Sequence, residues 1–284
     1  MDFLFPVSDL SAITSAVSGS PYVYQEVIEG GNDEISPTEY TGIGDVTEFR
    51  YGDVVGDAFR NGSIAGLNQL DGRMLLPSAD AIAFIDNHDT QRNGRAKLTY
   101  KDGSSYALAE AFMIAYPYGV PRVMSSFDFT NPDSSPPAAG NGTTLPVSCG
   151  QGWVCEHRWR TTENMVGLRN AAADAPLTNW WSNGNDQIAF GRGNRAFVAF
   201  NRSDMPLTTT FQTSPPSGTY CDVMNGDPGE NSCTGPTYIV DGSGRVNATV
   251  PANGALGLHV DAHTTGGGGC TTVSTSIAVT TYTY

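Results

Sequence analysis

The sequence predicts an α/β fold built on a parallel sheet, followed by an antiparallel β-sandwich. Three observations support this. Up to Ala173, β-favouring apolar runs alternate with helical stretches, as in strands joined by crossover helices. From Gln187 onward the short alternating runs IAFGRG, AFVAFN, LTTTFQT, TYIVDG, VNATV and LGLHV are spaced by Gly and Pro turns, the pattern of a sandwich. Third, three of the early β-runs end in polar residues, as strands do where they open into a site.

The first helix is expected over Ser8 to Val17, where Leu10, Ile13 and Val17 recur at helical spacing behind a Ser-Asp cap and Gly19 closes the segment. Pro21 to Ile28, PYVYQEVI, is a β-rich run. Gly52 to Leu70 has a helical pattern with a weak middle at Asn61-Gly62. Ala81 to Ile85 is small and β-favouring, like a strand buried on both faces. A helix over Ser105 to Ala115, a β-run over Val120 to Ser125 and a helix over Thr162 to Ala173 follow, the last two separated by a Ser, Pro and Gly-rich excursion from Asn131 to Gly142. The domain boundary falls near Leu177, giving residues 1–176 and 177–262. Residues 263–269, HTTGGGG, form a flexible linker. Residues 270–284 alternate like the opening strands of a further, truncated module. The sandwich is expected to fold the more independently of the two main units.

At 284 residues the chain has room for a large core and more than one domain. A net charge of −14 argues against nucleic acid and against an anionic membrane surface as partners. No apolar run approaches the ~20 residues that span a bilayer. Of the five cysteines, Cys149 and Cys155 lie six apart, Cys221 and Cys233 twelve apart, and Cys270 is left over. Two short local pairs suggest an oxidising compartment with two disulfide-closed loops. Zinc is the rival reading, although no C-x-x-C occurs and the four His are scattered. Sequons at Asn61, Asn141, Asn201 and Asn247 agree with secretion.

Chemistry is expected where strands end. Asp86, Asn87, His88 and Asp89 follow the strand over Ala81 to Ile85 with no Gly or Pro between, so costly polar groups are held on a rigid support. A strand end opening a turn is the alternative. Gln25-Glu26 ends another run, and Ser125-Ser126, beyond Arg122, a third. In a parallel barrel these ends share one rim, so Glu26 and Asp89 can meet in one cleft, and paired carboxylates are what glycoside hydrolysis requires. Glu26 stands among Tyr22, Val23, Tyr24, Val27 and Ile28, where burial would keep its carboxyl protonated, as a general acid needs; a salt-bridged strand end is the other reading. Trp153, Trp159, Trp180 and Trp181 are better placed for packing than for stacking on sugars.

The segments YQEVIEGG, VTEFRYG, AIAFIDNHDTQR, YPYGVPRVMSS, GWVCEHRWR and TNWWSNGNDQIAFGRGNRAFVAFN resemble, in order, the α-amylases of the retaining α-glucan hydrolase family (glycoside hydrolase family thirteen), in its chloride-dependent, animal-like branch. The likeness runs from Met1 to about His259. It implies the second half of a (β/α)8 barrel followed by a sandwich, and hydrolysis of internal α-1,4 bonds of starch, glycogen and maltooligosaccharides with retention. Glu26 matches the general acid, Asp89 the carboxylate that stabilises the transition state, His88 a residue that holds the sugar, and Asn87 and Arg122 two chloride ligands; an ion pair at a strand end is the other reading of Arg122. The nucleophile motif R-x-D-A-x-K-H of the family does not occur in the 284 residues. Met1 aligns just after it, so the resemblance implies that the first half of the barrel, the nucleophile and most or all calcium ligands lie outside this chain, which is then inactive alone. The complete enzyme is expected to be a secreted monomer that uses calcium and chloride. A glucan-binding product that does not cleave, or a related transglycosylase, are the alternatives. The end of the chain resembles the first strands of a starch-binding module.

Overall fold

A computed structural model describes residues 5–29 and 35–264. Cys270, most of the Gly-rich linker and residues 270–284 lie outside the described residues.

The first helix, α1 (Val7–Ala16), buries none of its residues; Val7 and Leu10 lean on the core while Ile13 faces solvent. It leads to β1 (Tyr24–Gln25), then to β2 (Asp45–Thr47), α2 (Phe49–Arg60), β3 (Ala81–Ala83), the single turn α3 (Thr90–Asn93), α4 (Ser104–Ala115), β4 (Val120–Pro121) and α5 (Arg160–Ala172). The four strands pair in parallel in the order β1-β2-β3-β4, with Tyr24 opposite Asp45, Val46 opposite Ala81 and Ile82 opposite Val120. This arrangement is compatible with half of a parallel barrel.

Several boundaries differ from the expectation, each for a physical reason. The helix expected over Gly52 to Leu70 stops at Arg60. The amides of Asn61 and Gly62 both fold back onto the Asp57 carbonyl, and a 3-10 turn over Leu67–Gly72 follows. A poor helix former beside a glycine ends the helix rather than weakening its middle. Asp45–Thr47 pairs between two strands although three residues carry too little pattern to be read. The run from Val120 pairs only to Pro121, after which the Arg122 amide donates to the Ala83 carbonyl at 2.8 Å.

The second unit comprises β5 (Leu177–Ser182), β6 (Gln187–Arg192), β7 (Ala196–Asn201), β8 (Leu207–Gln212), β9 (Gly218–Cys221), a small hairpin of β10 (Pro228–Gly229) and β11 (Ser232–Cys233), then β12 (Thr237–Val240), β13 (Arg245–Val250), β14 (Gly254–His259) and β15 (His263–Thr264). A four-stranded sheet, β14-β7-β6-β5, faces a five-stranded one, β15-β9-β12-β13-β8, and all pairings are antiparallel. His263 and Thr264, expected in the linker, pair instead with Tyr220 and Thr219.

The sandwich is not packed as an independent unit. One face of the four-stranded sheet supplies Phe197 and Leu256 to the core between the sheets. Its other face supplies Phe190 and Phe200, which meet Phe112 of α4 at 5.9 and 5.8 Å, while Phe59 of α2 meets Phe200 at 6.1 Å. Every residue of β7 is therefore buried. Trp180 stacks on Phe190, and Trp181 meets Phe211 edge-on, so both serve packing.

Cys149 pairs with Cys155 and Cys221 with Cys233, with Cα atoms 5.6 and 5.4 Å apart. The zinc alternative is thereby excluded for these four. Asn201, one of the sequons, is fully buried and its Nδ2 donates to the carbonyls of Met205, Val250 and Pro251, so it is closed to glycosylation.

Candidate active site

A cleft of about 530 Å³ opens where the parallel strands end. Its wall includes Glu26 after β1, Ile82, Phe84, Asn87 and His88 along and beyond β3, and Arg122 after β4. Four of the five residues selected for chemistry are thus brought together from three strands. Asp89 is not part of that wall; it stands at the rim, exposed, with Oδ1 3.5 Å from His88 Nε2.

The turn that presents these groups is held by its own side chains. Asn87 Oδ1 accepts from the amides of Asp89 at 3.1 Å and Thr90 at 2.8 Å, and Thr90 Oγ1 accepts from the Asn87 amide at 2.8 Å. An Asn that bonds the backbone two and three residues on is a standard way to leave a strand and enter a helical turn. Asn87 Nδ2 is left free to reach across the cleft and donates to Glu26 Oε1 at 3.3 Å. The guanidinium of Arg122 lies 4.3 Å over the Tyr24 ring and donates to the Tyr24 hydroxyl. Tyr24, read from the sequence only as an apolar neighbour of Glu26, is also the partner of Arg122, which its place two residues before Glu26 could have signalled.

The burial expected around Glu26 is reached only by Val27, which is 2% exposed. Glu26, Tyr22, Tyr24 and Ile28 are all exposed, because β1 is an edge strand paired only with β2 and nothing covers its outer side among the described residues. Asp86, by contrast, is 2% exposed and accepts from Gln91 Nε2 at 2.6 Å and from the Tyr106 hydroxyl at 2.9 Å. Burial pushes its carboxyl up to about 7, against the downward pull of those two donors and with added repulsion from Glu156.

Arg122, a cation, and the Nδ2 donor of Asn87 both face the cleft beside a carboxylate, a donor set suited to a small anion rather than a cation. Among the described residues no group of three or more His, Cys, Asp or Glu side chains could hold a metal ion. No helix among them is long and apolar enough to cross a membrane.

Fold and cleft define an α/β protein that gathers acid, amide, imidazole and guanidinium groups at the C-terminal ends of parallel strands, backed by an antiparallel all-β unit. Residues 180–261 match the family model described as the α-amylase C-terminal all-beta domain. The chain is 48% identical to an α-amylase of Tribolium castaneum over 254 residues, covering 85% of this chain and 52% of that protein. A solved structure of α-amylase I from Eisenia fetida superposes with a TM-score of 0.84 at 38% identity, covering 89% of this chain and 59% of that one. A variant of the same earthworm enzyme in a maltohexaose complex superposes with a TM-score of 0.83, also at 38% identity and with the same coverage. The chain belongs to the α-amylase family. It spans about half the length of the curated relative it matches.

Proposed function

We propose that the cleft is part of an α-amylase active site of the chloride-dependent, animal-like kind. In its complete form such a site cleaves internal α-1,4 bonds of starch, glycogen and maltooligosaccharides with retention. The observation that carries this reading is the convergence of Glu26, Asn87, His88 and Arg122 on one cleft at the C-terminal ends of parallel strands. The maltohexaose complex of the earthworm relative, a linear α-glucan ligand, supports the substrate class.

Glu26 is the general acid, donating its proton to the glycosidic oxygen and later accepting one from water. Asp89, at the rim, stabilises positive charge developing on the sugar, and the exposed imidazole of His88 beside it holds a sugar hydroxyl. Arg122 and Asn87 fit chloride, and an anion there adds negative charge next to Glu26, which favours the protonated acid. Asn87 already donates to Glu26, so it would contact both the acid and the ion. Among the described residues no group of three or more carboxylate, imidazole or thiol side chains would hold the calcium expected of the complete enzyme.

Retention needs a second carboxyl ~5 Å from the acid, poised on the anomeric carbon. No R-x-D-A-x-K-H motif lies within the 284 residues, and Asp89 stands outside the cleft wall. The 284 residues alone therefore bind glucan with little or no turnover. The parallel sheet is the second half of a barrel, whose other half covers the open side of β1. The two disulfides suit a secreted protein, a monomer when complete. The missing motif equally favours a product that binds glucan without cleaving it, whereas transglycosylation would show only in the products of a complete enzyme.

The test is a maltoheptaose titration by calorimetry together with a reducing-sugar assay on soluble starch. Saturable binding that is lost in His88→Ala, with no turnover, is expected. No binding would overturn the glucan reading, and turnover equal to that of a complete relative would overturn the assignment of an incomplete site.

A further inference from the structure

Behind the turn that carries His88 and Asp89 lies a set of titratable groups that the proposed chemistry does not use. Asp86 follows β3, Glu110 interrupts the apolar middle of α4, and Glu156 opens a single 3-10 turn after Cys155. Their exposures are 2%, 1% and 0%. Asp86 accepts from Gln91 and Tyr106, and one oxygen of Glu156 accepts from the Ser126 amide at 2.7 Å. The other Glu156 oxygen and both oxygens of Glu110 have no hydrogen-bond partner.

No ion pair among the described residues reaches any of the three. The groups that face them are Tyr106 on α4, Tyr51 on α2 and Tyr100 before α4, none of them cationic. Arg169 of α5 lies beyond Tyr51 and spends its donors on the carbonyls of Ile114, Tyr116 and Gly119. Three buried carboxylates without a cation would each cost several kcal/mol and would repel one another. The cluster therefore keeps protons, and Glu110, which meets no cation and no nearer donor than the Tyr106 hydroxyl already given to Asp86, is the member best suited to stay neutral; burial pushes it well above the usual carboxylate range, with Asp86 and Glu156 adding to the effect and Tyr106 opposing it.

The cluster is tied to the cleft through one side chain. Pairing between β3 and β4 ends where the Arg122 amide meets the Ala83 carbonyl. Past that point Gln91 Nε2 donates to Asp86 at 2.6 Å and to Ser126 Oγ at 2.7 Å, and the Ser126 hydroxyl donates back to Gln91 Oε1 at 3.1 Å. The place of the His88 turn relative to the Arg122 segment thus depends on where the Asp86 carboxyl sits.

We propose that Glu110 is a positioning residue for the cleft: a neutral acid at physiological pH, it spares Asp86 a second buried charge and so keeps Asp86, Gln91 and the turn bearing His88 and Asp89 in register. The consequence for sugar binding rests on the α-amylase reading; the protonation state does not. The experiment is a ligand-free NMR titration of the 284-residue chain, labelled at the Asp and Glu carboxyl carbons and backbone amides, from about pH 4 to about pH 9. The Glu110 carbon is expected to stay unmoved across that range. The Asp89 and Thr90 amides are expected to move with the Asp86 carbon, a response absent in Asp86→Asn. Glu110→Gln, which is neutral at every pH, is expected to leave the Asp86 titration and those amides as in the wild type, because it removes no charge that the wild type carries. Titration of Glu110 as an ordinary carboxylate, Asp89 and Thr90 amides that ignore Asp86, or a downward shift of the Asp86 titration in Glu110→Gln, which would show that the wild type carries a charge there, would each overturn the proposal. Should Glu110→Gln fail to fold, the wild-type titration still decides. Because no glucan is present, failure here is distinct from failure of the maltoheptaose titration.

Discussion

Replacing Arg192 with Met should uncouple the sandwich from the helices that cover it. Arg192 ends β6, is 2% exposed and forms no ion pair among the described residues. Its guanidinium instead caps the helices: Nη1 donates to the Ala115 carbonyl at the end of α4, Nη2 to that of Ala173 and Nε to that of Ala175 after α5, each at 2.7 Å. Each orphaned buried acceptor costs about 1–3 kcal/mol, so three cost roughly 3–9 kcal/mol. Met keeps the length and the apolar contact and removes a buried charge whose desolvation opposes folding. That burial is strong enough to push the guanidinium down to about 10. The net loss for Arg192→Met should lie near the lower end, about 3–5 kcal/mol. Arg195→Met is the internal control. Its side chain is exposed and makes a single bond, to the Ala171 carbonyl at 2.7 Å, so it should cost less than about 1.5 kcal/mol. Urea unfolding followed by tryptophan fluorescence and circular dichroism measures both, and Trp180, stacked on Phe190 at this junction, reports the local change. A loss below about 1 kcal/mol for Arg192→Met, or one equal to that of Arg195→Met, would refute the clamp.

Two further outcomes follow from the cleft's support. Asp86 titrates at about 7 in the folded chain against an ordinary 3.8, so its contribution to stability is complete below about pH 4 and is lost as the pH rises through 7. The slope is at most about 1.4 kcal/mol per pH unit, and Asp86→Asn should remove it; parallel urea-midpoint profiles for the two proteins between about pH 4 and pH 8 would contradict this. In Gly52→Ala the new Cβ on α2 would stand 2.7 Å from the Ile85 carbonyl oxygen and 3.0 Å from that of Phe84, closer than backbone atoms tolerate. Moving the helix should cost about 1–2 kcal/mol net of the better helix propensity of Ala, read as a lower urea midpoint, and an unchanged midpoint would show that α2 has slack.

Much of the fold was legible in short segments. Residues Ser104–Ala115 form the expected helix almost to the residue, and the alternation in AFVAFN and VNATV appears as β7 and β13. What misled was local strength without its surroundings. Asn61-Gly62 ends a helix that the apolar pattern alone would carry on to Leu70, and β2 exists only because β1 and β3 flank it. The packing of the sandwich against the helices was hidden for a similar reason. Alternation in β6 and β7 cannot reveal that both faces are covered, one by the partner sheet and the other by Phe59 and Phe112.

The candidate site divides along the same line. Its side chains, Glu26, Asn87, His88, Asp89 and Arg122, were evident from polar residues at the ends of β-runs and from motif resemblance, because residue identity and strand ends are written in the sequence. The Cys149–Cys155 and Cys221–Cys233 pairs were evident from spacing, and the structure chose them over zinc. Only the tertiary structure decided how these groups are presented. It left Glu26 exposed beside an edge strand, placed Asp89 outside the cleft wall, laid Tyr24 under Arg122, and buried Asp86, Glu110 and Glu156, which come from positions far apart in the chain. Proton affinity and reach depend on burial and on neighbours brought by other elements, and no local stretch of sequence encodes those distances.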